Sequence, residues 1–234
     1  MNSNIDFEAY LFISPQKIII SINDKINFKT IYQKEMLIDI KEDEFDYKKI
    51  NFFLNENIFL IEKSIKKFVK KMNLIIESKA FFYILISIKN KNYDDLISQK
   101  TLDYLLNDAK SQCQETIKGK KITHMIIDNY LINNENRQFL TLGEKYDSFS
   151  LDLRFICLSE DVIKNFEQIL SKYQISIDQI VNAKYVKQFF EYEKIDVFSM
   201  ANKIIKGCNE NEVKIVSKKY EKKGIFEQFF DLFS

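Results

Sequence analysis

The sequence predicts a mixed α/β protein of the α+β kind. Three observations carry that prediction. Short apolar runs rich in Ile, Phe and Tyr are bounded by polar turns. Longer segments repeat apolar residues every three or four positions. The two kinds of segment interleave along the chain. With 234 residues, 46% of them hydrophobic, the chain can build one large domain or two small ones, each with its own core.

Residues 9–22 (AYLFISPQKIIISI) read as two strands about a tight turn at Ser14-Pro15-Gln16, and 28–39 as a third. The charged stretch 41–49 (KEDEFDYKK) reads as a bend. A helix is predicted from Asn57 to Glu77, because Ile58, Ile61, Ile65, Phe68, Val69, Met72 and Ile76 recur at helical spacing with lysines opposite. Ala80–Ile88 (AFFYILISI) is nearly continuous in apolar residues, as expected of a strand inside a sheet.

Ser98–Cys113 reads as a second helix, with Leu102, Leu105, Leu106 and Ala109 on its apolar face and Asp103 and Lys110 on its polar one. Ile122–Ile132 is strand-like, 133–148 is a polar turn or hairpin loop containing Gly143, and Ser150–Leu158 alternates as a strand. Ser159 can cap a helix that turns Val162, Ile163, Phe166, Ile169 and Leu170 inward. Ile175–Ile180 leads into a short segment at 181–190. Val197–Ile205 is a short helix closed by Lys206-Gly207, and Glu212–Ser217 suits either strand or helix.

Composition excludes several functions. Basic and acidic residues balance at 35 to 34, so nucleic acid is not an expected partner. Three widely spaced cysteines (Cys113, Cys157, Cys208) without a CxxC argue against a disulfide-stapled module and for a reducing compartment. Residues 1–10 lack a signal-peptide pattern, and no run reaches the roughly 18 apolar residues that suggest a membrane span. A cytoplasmic protein is expected. Only 4 Gly and 1 Pro leave few positions for phosphate-cradling turns, and no GxGxxG, GxxxxGK or DxGxG sequence occurs.

Nothing in the sequence assembles a catalytic site, so no enzyme, cofactor or metal is expected. His124, the sole histidine, sits between apolar residues on a predicted strand, where a structural role outweighs a catalytic one. The cysteines lack a companion base. The acidic pairs Asp43-Glu44, Asp94-Asp95 and Glu160-Asp161 lie at loops or helix starts, where solvation and the helix dipole account for them.

The last residues are more informative. Lys218, Lys219, Lys222 and Lys223 precede Gly224. Ile225, Phe226, Phe229, Phe230 and Phe233 then fall on one face of a helix, with Glu227, Gln228 and Asp231 largely on the other. Such a helix can lie in a bilayer interface while the lysines meet anionic headgroups. A helix docked on the protein's own core, or a dimer contact, also satisfies the pattern. The Lys-rich stretch and Gly224 favour membrane, and the two acids weigh against very tight lipid binding.

Several passages resemble the bacterial cell-division protein FtsA, an actin-like family. YLFISPQKIIISIND is similar to the family's first hairpin, and the predicted helix followed by FFYILISI to its first helix and next strand. ITHMIIDNYLINNENRQF resembles the "H-x-I-P-x-x-Y-x-I-D" passage opening the family's small inserted domain, which puts His124 and Tyr130 at family positions. LDLRFICLSEDVIKNFEQILSKYQISIDQIV resembles that domain's strand–helix–strand, and KKGIFEQFFDLFS its membrane-targeting helix. The passages are colinear over most of residues 9–181. Pilus assembly proteins related to FtsA share much of the fold.

The chain also departs from the family. Ser14 and Pro15 stand where the phosphate turn's aspartate and glycine are expected, and no DxGGG-type loop follows Val181. The resemblance therefore implies a partial actin-like fold without the second half, and without ATP binding or actin-like polymerisation. Its first lobe would span 8–90 and a small inserted α/β domain 92–182. Residues 183–216 would return to the first lobe, and 217–234 would be connector and membrane-targeting helix. The implied function is a non-enzymatic, membrane-associated adaptor at the inner face of the cell membrane. Its expected partners are anionic lipid and cell-division proteins. The alternative is a pilus or envelope assembly partner whose tail contacts protein. Homo-oligomer formation is left open.

Overall fold

A computed structural model describes residues 6–39, 44–90 and 96–214. The predicted tail, including all nine membrane-binding candidates (Lys218, Lys219, Lys222, Lys223, Ile225, Phe226, Phe229, Phe230 and Phe233), lies outside the described residues. So do Asp43, Asp94 and Asp95.

The architecture is mixed α/β, with helices packed on two separate sheets. The first sheet has the order β3-β2-β1-β4-β9, formed by β1 (Phe7–Ile13), β2 (Lys17–Asp24), β3 (Thr30–Leu37), β4 (Lys71–Ile76) and β9 (Ser176–Asn182). β1 to β3 form an antiparallel meander, whereas β4 runs parallel to β1 and β9 parallel to β4. Parallel neighbours need a crossover. α1 (Tyr47–Ile65) lies on the connection into β4. The whole second sheet lies on the connection from β4 to β9.

That second sheet has the order β5-β8-β6-β7, from β5 (Phe82–Lys89), β6 (Lys120–Ile132), β7 (Glu135–Arg137) and β8 (Phe149–Ser159). α2 (Gln99–Thr116) covers one face, where Leu105, Ala109 and Cys113 meet Leu151, Leu153, Phe155 and Cys157. The opposite parity of β8 carries Asp152 and Arg154 and then Ile156 and Leu158. The polar pair faces Ser87 and Asp128. The apolar pair joins the core of the first sheet. One strand face thus changes from polar to apolar where the sheets meet.

Both faces of the first sheet are covered. Tyr10 and Phe12 meet Phe198 of α5 (Val197–Ile205) edge to face, and α4 (Ala183–Phe189) packs beside α5. Leu11 and Ile13, of opposite parity, are equally buried under α1 and α3 (Glu160–Ser171). Ser159 caps α3 as expected, accepting from Asp161 N.

Several expectations are corrected. The helix predicted at 57–77 begins ten residues earlier, where Asp46 accepts from Lys49 N, and ends at Ile65. Its second half contains β4, a strand buried from Met72 to Ile76 between β1 and β9. A continuous apolar run buried on both sides has no period of its own, so it continued the helical pattern by accident. The bend read at 41–49 is in part the first turn of α1, whose two lysines hid it.

β5 is not a sheet interior. It is an edge strand, with Leu85 73% exposed. The lobes also interleave: 82–89 belong to the second sheet, while α3 and β9 rejoin the first core. Only pairing partners could reveal this, because either sheet would bury these apolar residues.

Candidate functional site at the junction of the sheets

The junction is built from a short return of chain after α5. Gly207 takes a positive φ of 88° as the chain leaves α5. Residues 209–213 then lie along the part of β6 that β7 leaves unpaired. Ile127 N donates to Asn211 O at 2.9 Å and Val213 N to Met125 O at 2.8 Å, with Glu212 opposite Ile126.

This pairing brings Glu212 to His124. The imidazole is 4% exposed, and its Nδ1 lies 2.7 Å from Glu212 Oε1. Nε2 accepts a hydrogen bond from Asn182 N at 3.0 Å, so the ring proton sits on Nδ1 and is donated to the carboxylate. Tyr185 OH donates to Glu212 Oε2 at 2.8 Å and accepts from Asn209 Nδ2 at 2.7 Å. Asn182 Oδ1 caps α4 through Tyr185 N, while Asn182 Nδ2 donates to Tyr83 OH at 3.3 Å. Burial, reinforced by the Glu212 carboxylate, pushes the Tyr185 phenol up from its ordinary value.

The cluster joins β6 and β5 of one sheet, the β9–α4 corner of the other and the return segment. A cleft of ≈ 440 Å³ opens beside it, lined among others by His124, Gln179, Ile205, Gly207 and Lys214. A general base needs a free lone pair within reach of its substrate, and that of Nε2 is held by a backbone N–H. What the arrangement can do is hold three segments together.

The turn at 14–16 sits at the carboxyl ends of β1 and β4, the end of a parallel sheet where ligands usually bind. A cleft of ≈ 340 Å³ lies there, lined by Ser14, Pro15, Gln16, Glu77, Lys79 and Lys184. The backbone donors of the turn point inward: Gln16 N and Lys17 N both donate to Ser14 Oγ, at 3.4 and 3.1 Å, and Pro15 has no N–H.

The other sequence candidates are dispersed. Glu160 and Asp161 occupy the first turn of α3, both within reach of Lys164. Among the described residues no group of three or more His, Cys, Asp or Glu side chains is placed to hold a metal. No described helix is long and apolar enough to cross a membrane. Cys113 and Cys157 are buried side by side under α2, and burial pushes the Cys157 thiol up to about 12. Burial also raises Cys113, whereas Cys208 is exposed. A thiol-reactive disulfide reagent should therefore label one cysteine in the folded chain and all three after denaturation. Rapid labelling of two or more in the folded chain would contradict this burial.

Sequence reasoning found His124 but not its partners. Glu212, Tyr185, Asn182 and Asn209 lie 58 to 88 residues away or are joined through one another, and no spacing rule relates them.

No protein-family model matches the chain, and no curated protein matches its sequence. Similar solved structures do exist. One is a PilM–PilN type IV pilus biogenesis complex, at 6% identity and TM-score 0.47, covering 78% of this chain and 49% of that one. Another is the cytoplasmic domain of EpsL, an inner membrane component of the type II secretion system of Vibrio cholerae, at 10% identity and TM-score 0.37, covering 77% and 57%. A third, from Bacteroides thetaiotaomicron, is described as a protein with actin-like ATPase fold and unknown function, at 11% identity and TM-score 0.37, covering 81% and 57%. The chain spans about half the length of these structures. At these identities and with TM-scores below 0.5 the likenesses carry no argument, and the sheet-plus-helix lobes described above stand on their own strand order.

Proposed function

We propose that the chain is a non-enzymatic scaffold for envelope assembly, held at the inner face of the cell membrane by its last residues. The observation that carries this reading is the anchoring of the last described residues. Residues 209–213 are zipped to β6 and Glu212 is tied to His124 and Tyr185, so the chain just before Lys214 is fixed to both sheets. The sequence that follows supplies lysines and then phenylalanines at helical spacing. A tether rooted in this way would transmit a pull to the whole body.

The inward-turned backbone donors of the 14–16 turn support a non-enzymatic reading, because a nucleotide phosphate would meet few free backbone N–H groups there. Envelope assembly, as in the pilus and secretion proteins to which the chain is similar, is taken as the setting. An FtsA-like adaptor in cell division is the narrower form of the same proposal. The acids Glu227 and Asp231 favour a second reading, in which the tail contacts protein instead.

The test is flotation on vesicles containing phosphatidylglycerol. Replacing Phe229→Glu and Phe230→Glu in the full chain should cut binding by at least about tenfold, since each buried phenylalanine contributes on the order of 2 kcal/mol. Equal flotation of both proteins would remove the tail from the account. A change in oligomer size without any lipid binding would favour the second reading.

A further inference from the structure

The buried stripe of α1 is complete without its outer face. Ile50, Phe53, Leu54, Ile58, Ile61 and Ile65 fill the core side. The outward side nonetheless carries Phe52, Phe59 and Leu60, which are 59%, 70% and 51% exposed. Phe68, just beyond the helix, is 77% exposed. At 100° per residue Phe52, Phe59 and Lys63 fall on one line, flanked by Lys48, Lys49 and Leu60, and Lys66 follows as the left-handed C-cap of the helix. Glu56 lies within this face and Glu62 on its edge, where Glu62 accepts from Val69 N. Lys49 also reaches Asp46 at 3.5 Å. Single exposed apolar residues need no explanation. Aromatics aligned about 10 Å apart along one helix, with lysines beyond both ends, form a patterned surface.

We propose that this face of α1 is a second lipid-contacting surface, which lays the folded body on an anionic bilayer. The proposal rests on the membrane reading above and adds a contact that the tail does not provide. Phenylalanine rings enter the headgroup–acyl boundary, while lysine stems lie along it with their ammonium groups among lipid phosphates. Lys48, Lys49, Lys63 and Lys66 outnumber Glu56 and Glu62 here, and this basic balance selects an anionic lipid surface over an acid-balanced protein partner. A tail alone would leave the body free to tumble on its connector. A tail and α1 together would fix which side faces the membrane, and two weak contacts on one chain would reinforce each other.

The chain contains no Trp, so Phe59→Trp places a single indole reporter on this face. On phosphatidylglycerol vesicles its emission should move to shorter wavelength. On phosphatidylcholine vesicles it should not move, and salt should reverse the effect. In the full chain, Phe52→Glu with Phe59→Glu should lower vesicle partitioning roughly tenfold. Lys48→Glu with Lys63→Glu should lower it at least about fivefold. All four side chains already face solvent, so an unchanged unfolding midpoint checks that the fold survives. The reporter should still respond in the Phe229→Glu, Phe230→Glu background at higher lipid concentration.

A chain that floats while the reporter at position 59 stays in water overturns this proposal and leaves the tail anchor standing. A chain that does not float at all overturns both. A reporter that shifts with protein concentration in the absence of vesicles assigns the face to a second copy of the chain, and also overturns it.

Discussion

His124→Ala should destabilise the folded chain by about 3–5 kcal/mol, the usual cost of removing one partner from a buried polar pair. The substitution leaves the Glu212 carboxylate without its Nδ1–H donor and Asn182 N–H without an acceptor, both in a junction where the ring is 4% exposed. For a chain of this size the melting temperature should fall by roughly 6–20 °C. Glu212→Gln is gentler, because an amide oxygen can still accept from His124 while Tyr185 OH can reverse to accept from the amide. It should cost about 1 kcal/mol. Thermal and denaturant unfolding of the two variants check the ranking. Amide exchange at Ile127 and Val213 should accelerate in His124→Ala, since those groups pair β6 with the return segment. Wild-type stability in His124→Ala would show that the cluster does not tie the sheets together.

Phe166→Ala should cost a comparable ~3–5 kcal/mol for a different reason. The ring is fully buried and packs edge to face against Phe45 and Tyr47, with centroids 5.4 and 5.5 Å away. Its removal opens a cavity between α3 and the first turn of α1, a contact between segments about 120 residues apart. Equilibrium unfolding measures the loss, and Phe166→Leu should recover most of it. A loss below about 1 kcal/mol would mean that α3 does not belong to the first core.

These two positions show what the sequence can and cannot say. The inward placement of Phe166 was legible, because α3 sits on a solvated surface and its apolar residues recur at helical spacing behind a serine cap. That it serves the first sheet was not legible, because a helix face carries no label for its partner. The hairpin of β1 and β2, α2, β6, β8 and α5 were legible for similar local reasons. β4 was lost inside a helical pattern. β5 was misplaced because an edge strand rich in Ile and Leu resembles an interior one. The candidate site was legible only as a lone histidine. Its partners come from β9, α4 and the return segment, and chain topology alone assembles them.

The same topology gives the functional proposal its form. A return segment that adds to β6 and carries Glu212 into the junction makes the residues that precede the Lys-rich sequence a structural node. The exposed face of α1 offers the body a second way to meet the same surface.

The most direct test of the account is flotation of the full chain on vesicles of two compositions at low salt. The account predicts that the chain rises with phosphatidylglycerol-containing vesicles, stays behind with phosphatidylcholine alone, and is released from the former by added salt. A chain that remains in the soluble fraction with both compositions would contradict it.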